Sequence, residues 1–154
     1  MDRYTRAYSE LYLDDAMLSM GSMFVFGVHD CKYSLKEVWN IFCDSRYGDM
    51  FSTGDPHVVA GMSGVEILEH IDCDRRGVWE DNLPDPQHQL CRDDIYWTGW
   101  IIAYYQWFTG QSFRKLSTEI DIEWVHGLYY PLHEADITKA VNEILLRQRL
   151  EPIR

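Results

Sequence analysis

Leu13, Met17, Met20, Phe24 and Val28 recur at spacings of three and four, the mark of one apolar stripe on a helix. The stripe predicts a first helix over about Ser9–His29, with Glu10, Asp14, Asp15, Ser19 and Ser22 on its polar face. Gly21 and Gly27 weaken that helix, and close packing against a neighbour is the expected reason for them. Ser34 with Glu37 makes a capping box, so a second helix begins there and buries Leu35, Val38, Trp39, Ile41 and Phe42. The segment 45–56 reads as a helical turn and a loop, and Asp55-Pro56 starts another short turn over 57–62. Ser63 with Glu66 repeats the capping box ahead of a helix over Gly64–Asp74, buried through Val65, Ile67, Leu68 and Ile71.

The pattern breaks at 75–92, where Gly77, Asn82, Pro84 and Pro86 are turn formers. It resumes with force at DIYWTGWIIAYYQWF, Asp94–Phe108, apolar on nearly every face and capped by Asp93 or Asp94. A helix of that kind is buried, and its Tyr and Trp side chains need polar partners inside. Gly110 ends it. Ser112 caps a short helix over 112–120, a further turn runs to Gly127, and Pro131 interrupts the next stretch. Leu128–Leu132 is the one stretch able to pair briefly as a strand. A last helix runs over Ala135–Arg149 on the stripe Ile137, Val141, Ile144 and Leu145. The expected fold is mostly α: a single domain, 1–154, of about six helices around the buried aromatic helix.

Length and composition agree with one packed domain, since 154 residues at 46% hydrophobic hold ample core. Loose chain is expected only at the first few residues and after Leu150. No apolar run reads as long enough to span a membrane. With no apolar leader in MDRYTRAYSEL and no CxxC among Cys31, Cys43, Cys73 and Cys91, a cytoplasmic protein with reduced thiols is expected.

Charge changes the picture more than composition does. The net charge is -11; residues 1–94 carry 18 acids against 8 bases, and residues 95–154 carry 7 against 6. Such a field disfavours direct nucleic-acid binding and attracts a basic protein surface. Solubility alone also accounts for an acidic chain.

No spacing amounts to a catalytic signature. His70-x-x-Cys73 and His88-x-x-Cys91 offer four nitrogen and sulfur donors for a zinc ion, if the loop folds back onto its helix. Asp72 and Asp74 beside Glu80 and Asp81 offer oxygens to a hard cation, without the loop pattern of a calcium motif. His133-Glu134 lacks the second His of a zinc-protease helix, because Ile137 stands there. His29 and Cys31 are too close in sequence for a nucleophile–base pair. Residues 112–132 have helix–turn–helix length, but the second helix carries Asp121, Glu123, Trp124 and His126 and no cation to meet phosphate. No bound cofactor is expected.

YLDDAM, GDPHVVAGMSGVE, YWTGWIIAYYQWFTGQSF and LYYPLHEAD together resemble a family of small uncharacterised proteins from gut Firmicutes. Members of that family tend to be encoded beside ADP-ribosyltransferase-like toxin genes, which implies an antitoxin or accessory role. The family carries no assigned catalytic residues.

The expectation is therefore a non-catalytic acidic protein that binds and neutralises another protein. Asp72, Asp74, Trp79, Glu80, Asp81 and Asp85 are the expected partner contacts. The target is a toxin or, if the chain acts as an anti-CRISPR-like DNA mimic, a nucleic-acid-guided nuclease. The competing expectation is a small metal-binding protein or enzyme using His70, Cys73, His88 and Cys91.

Overall fold

A computed structural model describes residues 3–153. The first helical run starts as a 3-10 turn at Glu10–Tyr12, capped by Ser9. It continues as α1, Leu13–Val25, and ends in a π-turn at Phe26–Asp30. The stripe that predicts it is buried at Leu13, Met17, Met20 and Phe24, and Val28 is half-buried.

Two capping boxes form as expected, at Ser34/Glu37 for α2, Leu35–Cys43, and at Ser63/Glu66 for α5, Gly64–Arg76. Between them, 45–56 holds more helix than its sequence announces. Ser45 caps the two-turn α3, Arg46–Ser52, and Asp55 caps the one-turn α4, Pro56–Val59. Gly77, at φ 74°, ends α5 in the left-handed conformation open to glycine.

The central helix α6 spans Asp94–Thr109, and 12 of its 16 residues are buried. Two of its aromatic side chains find polar partners: the Tyr105 hydroxyl meets Gln148 Oε1, and Trp107 Nε1 donates to the Tyr8 carbonyl at 2.8 Å; Gln106 Oε1, by contrast, is buried without a partner. It lies so close to α1 that two glycines are needed at the crossing. A Cβ at Gly99 would stand 2.5 Å from the Met20 carbonyl oxygen, and one at Gly21 would stand 2.5 Å from the Tyr96 ring.

Beyond α6 come α7, Phe113–Glu119, and α8, Ile122–Gly127, capped by Ser112 and Asp121. The stretch expected to pair briefly as a strand is instead the one-turn helix α9, Tyr129–Leu132. Pro131 sits in its first turn, where a missing N–H costs nothing. The last helix, α10, Ile137–Arg147, starts two residues later and stops two earlier than expected, capped by Asp136. The short elements raise the count from about six to ten α-helices, and no strand occurs among the described residues.

The densest aromatic packing lies off α6. Phe113 of α7 meets Phe42, Phe51 and Trp39 edge-on at 4.9, 5.6 and 6.0 Å between centroids, which ties α2, α3 and α7 together.

Two expectations need correction. The first helical run, Glu10–Asp30, is 21 residues long, so by length and composition it does reach membrane-spanning size. Its apolar window is 61% buried inside the protein, because it is the core helix against which α5 and α6 pack. The expectation of loose ends covers residues 1, 2 and 154, which lie outside the described residues; next to them, residues 4–6 and 151–153 are fastened. Tyr4 donates to the Glu151 carbonyl at 2.6 Å, the Arg6 guanidinium lies 3.9 Å from the centre of the Phe108 ring, and the Ile153 amide donates to Asn142 at 2.6 Å.

Candidate functional site

The segment 78–93 leaves α5 at Gly77 and returns to α6 at its cap, Asp93. Its two halves meet different parts of the body.

The first half is seated on α5. Trp79 is 69% exposed yet sets one edge against His70, with centroids 5.3 Å apart at 85°. His70 also meets the Tyr47 ring at 5.7 Å, and its Nδ1 lies 3.3 Å from the Tyr47 hydroxyl. Cys73 is buried, and its thiol faces the Glu80 carbonyl at 3.6 Å. The Arg76 guanidinium donates to that same carbonyl. His70 and Cys73 therefore serve to seat the loop.

The six acidic and aromatic contact candidates divide by pairing. Asp72 bonds Arg76 at 2.8 Å, and Asp74 takes Arg46 in a two-pronged contact at 2.7 and 3.1 Å. Both charges are thus offset within the chain. Glu80, Asp81 and Asp85 stay exposed in the same stretch of loop as Trp79. Asp81 accepts from the Leu83 amide at 3.1 Å and also lies against Glu69. Burial, and next the charge and hydrogen bond of Asp81, push the Glu69 carboxyl above the ordinary glutamate range. Val78 and Leu90, 46% and 90% exposed, add apolar surface to the same loop.

The second half meets the π-turn. The amide of Cys31 donates to the carbonyl of Phe26, five residues back, which widens the last turn. Two successive side chains there reach the returning loop. His29 Nε2 lies 2.7 Å from Asp93 Oδ2. Asp30 Oδ1 lies 2.7 Å from His88 Nδ1 and accepts from the Gln87 amide at 3.1 Å. The His29 and His88 rings are 5.3 Å apart. The Asp30 side chain is only 4% exposed, and its Oδ2 accepts no hydrogen bond.

Electrostatics here oppose nucleophilic chemistry. Burial and then the neighbouring Asp30 push the Cys31 thiol up to about 12. Burial and then Asp93 push Cys91 up as well. Burial works to raise Asp93, but the Tyr96 amide and the His29 hydrogen bond outweigh it and hold that carboxyl low. Neither thiol is activated at neutral pH. All four cysteines are free.

The four expected zinc donors are not brought together. Among the described residues, one group of three or more His, Cys, Asp or Glu side chains converges to within 4.8 Å, and it is His29, Cys91 and Asp93. His70 and Cys73 sit at the other end of the loop, and His88 is taken by Asp30. Of this convergent group, only Cys91 stands out in the sequence as a ligand. His29 and Asp93 are 64 positions apart, and the one local hint is that Asp93 caps α6.

Beside the π-turn opens a cavity of about 380 Å³, with Asp30, His88 and Arg92 at one side and Leu18, Phe26 and Val65 among its apolar walls. Comparison of the chain with protein-family models, with curated proteins and with solved structures finds no match.

Proposed function

We propose that this is a non-catalytic protein that binds and occludes a basic surface on another protein, through the first half of the 78–93 loop. The observation that carries the reading is Trp79: a tryptophan 69% exposed, packed at a steep angle on His70, in a loop segment that also exposes Glu80, Asp81 and Asp85. Exposed, rigidly seated tryptophans are typical interface anchors. Exposed carboxylates in the same segment, with no cationic side chain paired to them in the hydrogen bonds described above, steer a basic partner and set the salt dependence of its association.

The target class is a toxin or a defence nuclease, in line with the net charge of -11. The pairing of Asp72 and Asp74 with arginines shifts the contact expected from sequence toward Trp79, Glu80, Asp81 and Asp85.

Affinity capture from source cells with the intact chain as bait, at low and high ionic strength, tests this. Recovery of a basic protein that falls steeply with salt is expected, and so is its loss on reversing Glu80, Asp81 and Asp85 to Lys together. Recovery that ignores both changes contradicts the electrostatic reading. Release of the partner by a polyanion such as heparin identifies a nuclease groove as the target.

A further inference from the structure

We propose that His29, Cys91 and Asp93 form a binding site for a zinc-class divalent cation that ties the end of the 78–93 loop to the first helix. The site is independent of the partner-binding reading, because it lies at the other end of the loop.

The first argument is convergence. One imidazole nitrogen, one sulfur and one carboxylate oxygen lie within 4.8 Å of one another, and the closest pair, His29 Nε2 and Asp93 Oδ2, is at 2.7 Å. The donor atoms around a tetrahedral zinc stand about 3.3–3.6 Å apart, given bonds of about 2.0–2.3 Å. Separations of 2.7 Å for the closest pair and no more than 4.8 Å for the others bracket that spacing.

The second argument is donor type. Magnesium and calcium demand shells of oxygen. A mixed nitrogen, sulfur and oxygen set selects zinc and its neighbours among the transition metals. Three protein ligands leave the fourth position to water, and all three residues are only half-buried, so an ion can enter from solvent.

The third argument is charge. Asp30 and Asp93 bring two carboxylates to the same small region, and the Asp30 side chain is 96% removed from solvent with Oδ2 lacking any donor. A buried carboxylate oxygen without a partner is costly. The guanidinium of Arg92, which lines the same cavity as Asp30, is stacked 4.4 Å over the Tyr96 ring and bonded to the Gln89 and Cys91 carbonyls. A divalent cation beside Asp93 adds positive charge to this pair of carboxylates. Asp30 then supports the site from behind by fixing His88 against His29.

Titration of the purified full chain with Co2+, followed by displacement with Zn2+, tests the proposal. One ion per chain is expected, with the near-ultraviolet charge-transfer absorption of a thiolate ligand. Cys91→Ser is expected to abolish that absorption. Asp93→Asn, which preserves the helix cap, is expected to weaken binding at least ~10-fold. Cys73→Ser and His70→Ala are expected to leave the titration unchanged. A second measurement needs no variant: Zn2+ is expected to protect Cys91 from alkylation in the wild-type protein. A folded wild-type chain without the charge-transfer band, a band that survives Cys91→Ser, or Cys91 alkylation at the same rate with and without Zn2+ overturns the site.

Discussion

His29 and Asp93 stand 64 residues apart in the chain and 2.7 Å apart in the structure. The same carboxylate caps α6, with Oδ1 accepting from the amides of Ile95 and Tyr96 at 3.1 Å. One side chain thus starts the central helix and joins it to the end of the first helical run. The two roles separate by mutation. Asp93→Ala removes the cap and is expected to cost about 1–2 kcal/mol. Asp93→Asn keeps the cap acceptor, and stability is expected to stay within about 0.5 kcal/mol of wild type, because asparagine caps as well as aspartate does. Urea denaturation of both variants checks this. Equal losses would show that the cap is not what Asp93 contributes.

The crossing of α1 and α6 gives a second expectation. A Cβ at position 99 meets backbone, the Met20 carbonyl at 2.5 Å, which cannot swing aside as a side chain does. Overpacking of this kind costs up to about 3 kcal/mol, against about 1 kcal/mol gained by replacing a mid-helix glycine with alanine. Gly99→Ala is therefore expected to destabilise by about 2 kcal/mol. Gly21→Ala meets the ring of half-buried Tyr96 and is expected to cost less. Denaturant midpoints measure both; Gly99→Ala as stable as wild type would mean that the helices are not in this contact.

Glu69 sets the sign of a pH effect. Its folded carboxyl is raised by burial and then by Asp81, so folding disfavours its ionised form. Its contribution to stability is full below the ordinary glutamate range and is lost as pH rises through the raised value. At neutral pH the ionised group opposes folding. Glu69→Gln is expected to stabilise the protein at pH 7 by less than ~1 kcal/mol, as befits a solvent-screened pair. The gain is expected to shrink toward acid. Thermal unfolding of both chains across pH measures it, and a variant less stable than wild type at neutral pH contradicts the assignment.

The helices that carry their own start signals were legible in the sequence. Ser34/Glu37 and Ser63/Glu66 announce α2 and α5 because a capping box is a local exchange of hydrogen bonds. The helix α6 was legible because it is apolar on nearly all faces. The helix α9 was hidden by Pro131, whose effect depends on where in a turn it falls. The π-turn at Phe26–Asp30 has no residue signature, and with it the placement of His29 and Asp30 was hidden.

Pairings between distant residues account for the rest. Asp72 and Asp74 look like free surface charge in sequence, yet the return of α3 brings Arg46 to Asp74, and one turn of α5 brings Arg76 to Asp72. Zinc donors chosen by spacing, His70 and Cys73, became supports for Trp79 and Glu80, and Cys91 found its companions on other elements.

The most direct test of partner binding through the loop is the affinity of the captured partner for Trp79→Ala against wild type, measured at one salt concentration. Trp79 is 69% exposed and meets the His70 ring at 85°, so the variant is expected to unfold at nearly the wild-type temperature. Loss of an interface anchor costs about 2 kcal/mol or more, roughly a 30-fold weaker Kd. That weakening, with the fold intact, is the expected result. An unchanged Kd in a folded Trp79→Ala protein would contradict it and move the contact surface off the loop.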